Sequence, residues 1–225
     1  MNRLILALLA GALAALTAAP SFAADLPRKA PTYYAPAVAF SWSGFYVGLN
    51  GGYGWGTSSW SSTATSGSPK PTGGLAGGTV GYNFQTGVWV FGAEGDFDAS
   101  WMKGSDSSGT GLCTAPGCET KNSWFATARG RVGYAFDRWL PYLTGGAAFA
   151  DVKMSPNNTL TTTKTQVGWT LGGGVEYAFT GPWSAKVEYL YADLGKPTCG
   201  ALTCVPDTTV SFKANIVRAG LNYRF

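Results

Sequence analysis

Histidine occurs nowhere in the 225-residue chain. Without it a Ser-His-Asp triad cannot be assembled, and zinc sites of the usual histidine type are excluded. Basic runs are missing too. The formal charge is +4, Arg3 supplies one of those charges, and no stretch concentrates the rest, so nucleic acid is not expected as a partner. Glycine-rich runs such as Thr72 to Gly78 do not open a helix, so they do not read as phosphate-cradling loops. No cofactor is expected.

Long apolar runs are confined to the N-terminus. Arg3 gives a positive start, Leu4 to Leu16 is apolar, and Ser21-Phe22-Ala23 places small residues at the two positions a signal peptidase reads. The run falls short of the roughly 20 residues of a spanning helix. Residues 1–23 are therefore expected to be a cleaved signal peptide, with the mature chain starting at Ala24. Residues 24–41 are rich in proline and alanine, lack periodicity, and read as an extended linker. Residues 42–225 fit one all-β domain.

What the chain does have is glycine, 32 residues of it, set among aromatics. In Trp42 to Gly56 every second residue from Phe45 is apolar up to Trp55, with Gly51 as the one small member. The intervening set is Tyr46, Gly48, Asn50, Gly52 and Gly54. Period two is the mark of a strand with unlike faces. A helix with this much glycine would lose about 1 kcal/mol per glycine relative to alanine. The pattern returns over 74–84, 88–101 (Glu94, Asp96 and Asp98 on the polar face), 122–136, 166–179, 183–194 and 210–225, and more weakly over 140–154. That makes eight strands. The connections at Gln85–Gly87, Asp137–Arg138 and Thr180–Pro182 are tight. Those at Thr57–Thr72, Lys103–Lys121, Ser155–Thr163 and Gly195–Asp207 are long and polar. Short turns at one end and long loops at the other are the plan of an eight-stranded antiparallel transmembrane β-barrel of outer-membrane type.

Such a barrel points its apolar face at lipid. The polar face then lines a lumen just wide enough to be filled by side chains. It carries Glu94, Asp96, Arg129, Arg131, Glu176, Lys186, Glu188, Arg218 and Arg224, which are expected to pair across it. Inward glycines would make room for these long groups, and outward ones would ease the curvature. The carboxylate pairs Glu94/Asp96 and Glu176/Glu188 read as members of that network, because glycosidase chemistry needs an open cleft. Phe84, Trp89, Phe136, Trp139, Phe179, Trp183 and Phe225 flank the turns, while Trp55, Trp101, Trp124 and Tyr191 lie toward the loops. These read as two interfacial girdles.

Four cysteines fall in two equal spacings, Cys113/Cys118 and Cys199/Cys204, each inside a long loop. An exported chain meets an oxidising compartment. Three pairings exist. The one within each loop closes a short ring, for which the chain-entropy estimate is roughly 2 kcal/mol per bridge.

Phe40 to Trp55, Pro141 to Phe149 and the ending Val217-Arg-Ala-Gly-Leu-Asn-Tyr-Arg-Phe225 resemble the small alphaproteobacterial outer-membrane immunogenic proteins, over essentially the whole mature chain. The resemblance implies an OmpA/OmpX-like barrel in the outer membrane of a Gram-negative bacterium, among lipid and lipopolysaccharide, with an envelope-stabilising role and surface-exposed loops. Some relatives are called porins and some are reported to bind haemin, so a narrow channel for small solutes or a haemin-binding surface is the alternative. Others are tied to peptidoglycan through a mature N-terminal Ala followed by an acidic residue, a pattern that Ala24-Asp25 fits. The terminal pair Tyr223 and Phe225 matches the signal read by the barrel-assembly machinery. Lipid A-modifying barrels of this size rely on histidine, so the resemblance gives no enzyme here. The cysteine pairs are not general in the family, and loop function does not carry over.

Overall fold

The computed structural model describes residues 40–61, 66–107, 118–156, 162–195 and 209–225. The expected signal peptide, nearly all of the linker, and Cys113, Cys199 and Cys204 lie outside the described residues. Of Cys118 only the backbone is described.

Nine strands follow in chain order: β1 (Gly44–Ser61), β2 (Ser66–Gly67), β3 (Thr72–Thr86), β4 (Trp89–Asp106), β5 (Cys118–Tyr134), β6 (Trp139–Pro156), β7 (Thr162–Ala178), β8 (Trp183–Asp193) and β9 (Thr209–Arg224). The two-residue β2 only extends the ladder of β1. The other eight form one antiparallel sheet in chain order, and β9 pairs with β1 from Tyr46↔Arg224 to Ser61↔Thr209. That seam closes the barrel and leaves no free edge strand along it.

The turns are as tight as their composition requires. β3 and β4 are joined by Gly87-Val88, with Gly87 at φ 59°. Gln85 and Thr86, read as turn residues in the sequence, are instead the last pairs of β3, and Val88 belongs to the turn. Asp137 occupies the left-handed region at φ 52° in the Asp137–Arg138 turn, a conformation short polar side chains tolerate. The ambiguous stretch 140–154 is a full strand, inward at Leu140, Tyr142, Thr144, Ala148, Ala150 and Val152.

The larger difference lies at the loop end. Strands of 15 to 18 residues exceed the roughly 9–11 that cross a bilayer. Residues 57–61, 103–106, 118–121, 155–156 and 162–163, expected in loops, are sheet. Period two continues there, with Thr57, Ser59, Lys103, Ser105 and Thr163 outward and Ser58 and Thr120 inward and buried. Just beside these segments the inside is apolar, where Met102, Phe125, Val152 and Phe212 are buried, while Thr165 and Lys213 point outward. Between the girdles the outward face is apolar instead, with Leu49 75%, Phe97 60% and Leu143 66% exposed.

The turn-side girdle is built from one repeated device. Tyr82-Asn-Phe84, Tyr134-Ala-Phe136, Tyr177-Ala-Phe179 and Tyr223-Arg-Phe225 end the four strands that run toward the turns. Each tyrosine meets the aromatic that starts its neighbour: Phe45–Tyr82, Trp89–Tyr134, Trp139–Tyr177 and Trp183–Tyr223, with centroids 4.6 to 5.5 Å apart. Such pairs add about 0.5–1.5 kcal/mol each beyond area.

Candidate functional site

The lumen is filled in three tiers. At the turn side Trp42, Val90, Leu140 and Ala178 are buried together, with Phe40 and Ala135 against them. Trp42 does not extend β1. Its indole N–H donates to the Asp137 carbonyl at 3.2 Å and its backbone N–H to Gln85 Oε1 at 2.7 Å, while Gln85 N–H donates to Ser43 Oγ at 2.9 Å. Phe40 lies under the Arg224 guanidinium at 4.3 Å. Phe40, two residues before the expected boundary at residue 42, is thus packed against the barrel. At the loop side a second apolar tier gathers Leu75, Met102, Phe125, Val152, Leu190, Leu194, Phe212 and Ile216.

Between them sits the charged tier. Alternation on β4, β5, β7, β8 and β9 sends every second side chain inward, so that local pattern alone delivers the acids and bases to one enclosed layer. Arg129 Nη2 donates to Glu94 Oε1 and, at 2.9 Å, to Asp96 Oδ2, while Nη1 reaches Glu188 at 3.1 Å. Arg131 pairs with Glu176 at 2.7 Å and Glu94 at 3.5 Å. Lys186 holds Glu94 at 2.8 Å. Arg218 binds Asp96 at 2.8 Å, Asp98 at 2.7 Å and Glu188 at 2.6 Å.

Neutral groups complete the shell. Tyr46 donates to Glu94 at 2.7 Å, Ser184 and Asn222 donate to Glu176 at 2.6 and 2.9 Å, and Thr127 donates to Asp96 at 2.6 Å. The Arg131 guanidinium also lies 4.1 Å over the Tyr142 ring. Bringing so many charges out of water is costly, and only multiple hydrogen bonds per group offset it.

Eight of the nine charges expected to meet in the lumen do so. Arg224 forms no ion pair among the described residues: it is half-buried at the turn-side rim, its guanidinium over the Phe40 ring and its backbone N–H donating to the Pro182 carbonyl at 2.8 Å. Asp98 takes part instead, fully buried against Arg218. Its place on the polar face was visible in the alternation, but its partner lies 120 residues away. Tyr46 and Tyr142 were missed, because a tyrosine on an inward position looks like any other aromatic in sequence. Tyr223 and Phe225 stand on the lipid face, with rings 5.3 Å apart and Phe225 76% exposed. Ala24 and Asp25 lie outside the described residues.

The inward glycines mark where this tier leaves no room. A Cβ on Gly52 would fall 2.6 Å from Arg218 Cβ and against the Val217 carbonyl, whereas one on outward Gly95 would meet nothing closer than 3.8 Å.

Comparison with known proteins agrees with this architecture. The family described as outer membrane protein beta-barrel domain matches residues 5–225. The 31 kDa outer-membrane immunogenic protein of Brucella melitensis is 43% identical over 238 residues, covering 95% of this chain and 97% of the relative. The 25 kDa outer-membrane immunogenic protein of Brucella abortus is 37% identical over 212 residues, covering 92% of each. Among solved structures, the outer membrane protease OmpT from Escherichia coli superposes with a TM-score of 0.51 at 10% identity, over 84% of this chain and 99% of that one. At such low identity this likeness speaks for the fold alone. With a closed eight-stranded barrel, an apolar belt between two aromatic girdles and relatives matched along nearly their whole length, the chain belongs to the outer membrane protein beta-barrel domain family and is an outer-membrane protein.

Proposed function

We propose that this protein is a closed structural barrel that stabilises the outer membrane and presents its loop-side rim at the cell surface. The carrying observation is the order of the lumenal tiers. The ionic layer, whose charged side chains are at most a few per cent exposed, is stoppered by apolar residues at both ends. A water-filled solute path needs the reverse, a polar lining from mouth to mouth. The narrow-channel reading has both apolar tiers against it. Purified protein in a planar bilayer should show no steady conductance beside a large trimeric porin. A stable conductance of porin size overturns the proposal.

The proposal includes a tether. Short turns mark the periplasmic side of such barrels, and Phe40 and Trp42 bring the chain to that side. The residues between Ala24 and Phe40 reach roughly 50 Å at about 3.3 Å per residue, enough to touch a cell wall beneath the membrane. Muramidase digestion of purified walls should release muropeptide joined to the Ala24 amine. A free Ala24 amine in all recovered protein removes the tether and leaves the closed barrel standing.

Assembly enters through the last strand. Deleting Phe225 should lower the heat-modifiable, folded fraction in the outer membrane if the assembly machinery reads Tyr223 and Phe225. Undiminished folding would place the signal elsewhere, with the same Tyr-x-Phe device on three other strands as the first alternative.

A further inference from the structure

The turn between β5 and β6 carries two opposite charges, Asp137 and Arg138, whereas Gly87-Val88 and the stretch from Phe179 to Pro182, which form the other two turns, carry none. Neither charge belongs to an ion pair among the described residues. The turn backbone is pinned from both sides. The Asp137 carbonyl accepts the Trp42 indole N–H at 3.2 Å, and the Arg138 carbonyl accepts the Ala178 N–H at 2.8 Å. Thr180 Oγ1 takes one Arg138 N–H at 3.3 Å, which leaves most of the guanidinium donors for an outside acceptor. A carboxylate and a guanidinium held side by side, each unspent, fit a ligand that carries both charges.

The lipid face next to this turn is hollow. Just inside the turn-side girdle a groove of about 290 Å³ lies between Trp89, Tyr134, Pro141 and Leu143. It shares Val132 and Leu143 with a second groove of about 420 Å³, walled by Phe91 and Leu171. The floor of the second groove is the register pair Gly130↔Gly145, and Ala128↔Ala147 carries that floor toward the midplane. A Cβ on Gly130 would meet nothing closer than 4.0 Å. From Tyr134 to Ala128 the strand covers about 20 Å, or roughly 14 Å along the membrane normal at a tilt near 45°. That is the acyl depth of one leaflet in a hydrocarbon core about 30 Å thick. The trough flanks β5 and β6, the two strands that the charged turn joins, so headgroup-level charges and trough lie in the same leaflet. Short turns face the periplasm, which makes it the inner one.

We infer that the Asp137-Arg138 turn and the trough beside it form a binding site for one zwitterionic phospholipid with a primary amine, its phosphate on Arg138, its ammonium on Asp137 and an acyl chain along Val132 and Leu143. The turn and the trough are separate features that select the two ends of the same amphiphile. An anionic headgroup without the amine meets Asp137 as a like charge, and a trimethylated amine brings no N–H to it, so both are disfavoured. Neither the closed lumen nor the wall tether takes part, so a conducting or untethered barrel leaves the site untouched.

The test uses the full mature protein, extracted in mild detergent and examined by native mass spectrometry with three probes of equal acyl chains: phosphatidylethanolamine, phosphatidylcholine and phosphatidylglycerol. The expected result is one phosphatidylethanolamine retained per barrel and little of the other two. Arg138→Gln should lower its retention about tenfold, the worth of one charge-assisted hydrogen bond. Asp137→Asn keeps a residue that tolerates the left-handed turn and should erase the preference over phosphatidylcholine. Gly130→Leu, which fills the trough, should lower retention of all three, and Lys103→Gln, at the loop side, should change nothing. Heat-modifiable migration checks that each variant is folded, and if Arg138→Gln does not assemble, Asp137→Asn and Gly130→Leu decide. Equal retention of the three lipids by the unaltered protein, or unchanged retention and preference in the folded variants, overturns the site. A dimer that Gly130→Leu splits while lipid retention is unchanged assigns the trough to a second copy and overturns it as well.

Discussion

Two sections of the same strands obey opposite rules. Between the girdles, Leu49, Phe97 and Leu143 face outward, and Glu94, Arg129 and Glu188 face in. A few residues farther along, Thr57, Lys103 and Lys213 face outward, and Met102, Phe125 and Phe212 face in. The backbone is one continuous ladder; β1 pairs with β9 through both sections. Only the solvent on the outside differs. In lipid the sheet must show hydrocarbon outward and hide its polar groups, whereas above the lipid the same sheet behaves as a water-soluble barrel with an apolar core. A strand can therefore outlast the membrane without changing its hydrogen bonding, so long as its side-chain pattern changes sign.

The contrast can be broken at graded strength. The largest effect is expected from Glu94→Ala, which strips Arg129, Arg131 and Lys186 of a shared partner. Removing one member of a buried ionic cluster costs about 3–5 kcal/mol, read as a lower denaturant midpoint for unfolding from lipid vesicles. Glu119→Ala, on the outer wall of the loop-side section, should change that midpoint by less than about 0.5 kcal/mol.

Next comes Leu49→Arg. Leu49 lies midway between Phe45 and Trp55 and faces lipid, so the loss should be about 2–4 kcal/mol. Thr57→Arg, outward on the same strand above the girdle, should stay within about 0.5 kcal/mol. Equal costs at both positions would place the two sections in one solvent.

A smaller pair sharpens the picture inside the membrane section. Gly52→Ala forces a methyl against Arg218 and the Val217 carbonyl and should cost about 1–3 kcal/mol. Gly95→Ala has open space outward and should be neutral or slightly stabilising. If Gly52→Ala proves as mild as Gly95→Ala, the charged tier is looser than the contacts described above.

The expected loops fell short for the same reason that the two sections differ. Thr57 to Ser61 and Lys103 to Asp106 read as polar loop because outward apolar residues were the criterion for a strand, and there the outward residues are polar. Met102, just before Lys103, and Phe212, the register partner of Ser58, carry the signal on the inside, but it is recognisable only once the outward face is known to be polar at that height. The reading of 140–154 was weak because Gly145, Gly146, Ala147 and Ala148 make both faces small. There the neighbours β5 and β7 decide the register.

The alternation by itself determined the strand number, the lipid face, the aromatic girdles and which acids and bases enter the lumen, because a period of two is a local property of extended chain. It could not say who meets whom. Arg218 reaches Asp96 and Asp98 across more than a hundred residues of sequence, Arg224 leaves the network for Phe40, and Trp42 turns inward as a stopper instead of lengthening β1. Those outcomes depend on the stagger with which eight strands close, which sets the height of each side chain in the barrel and is a property of the ring as a whole.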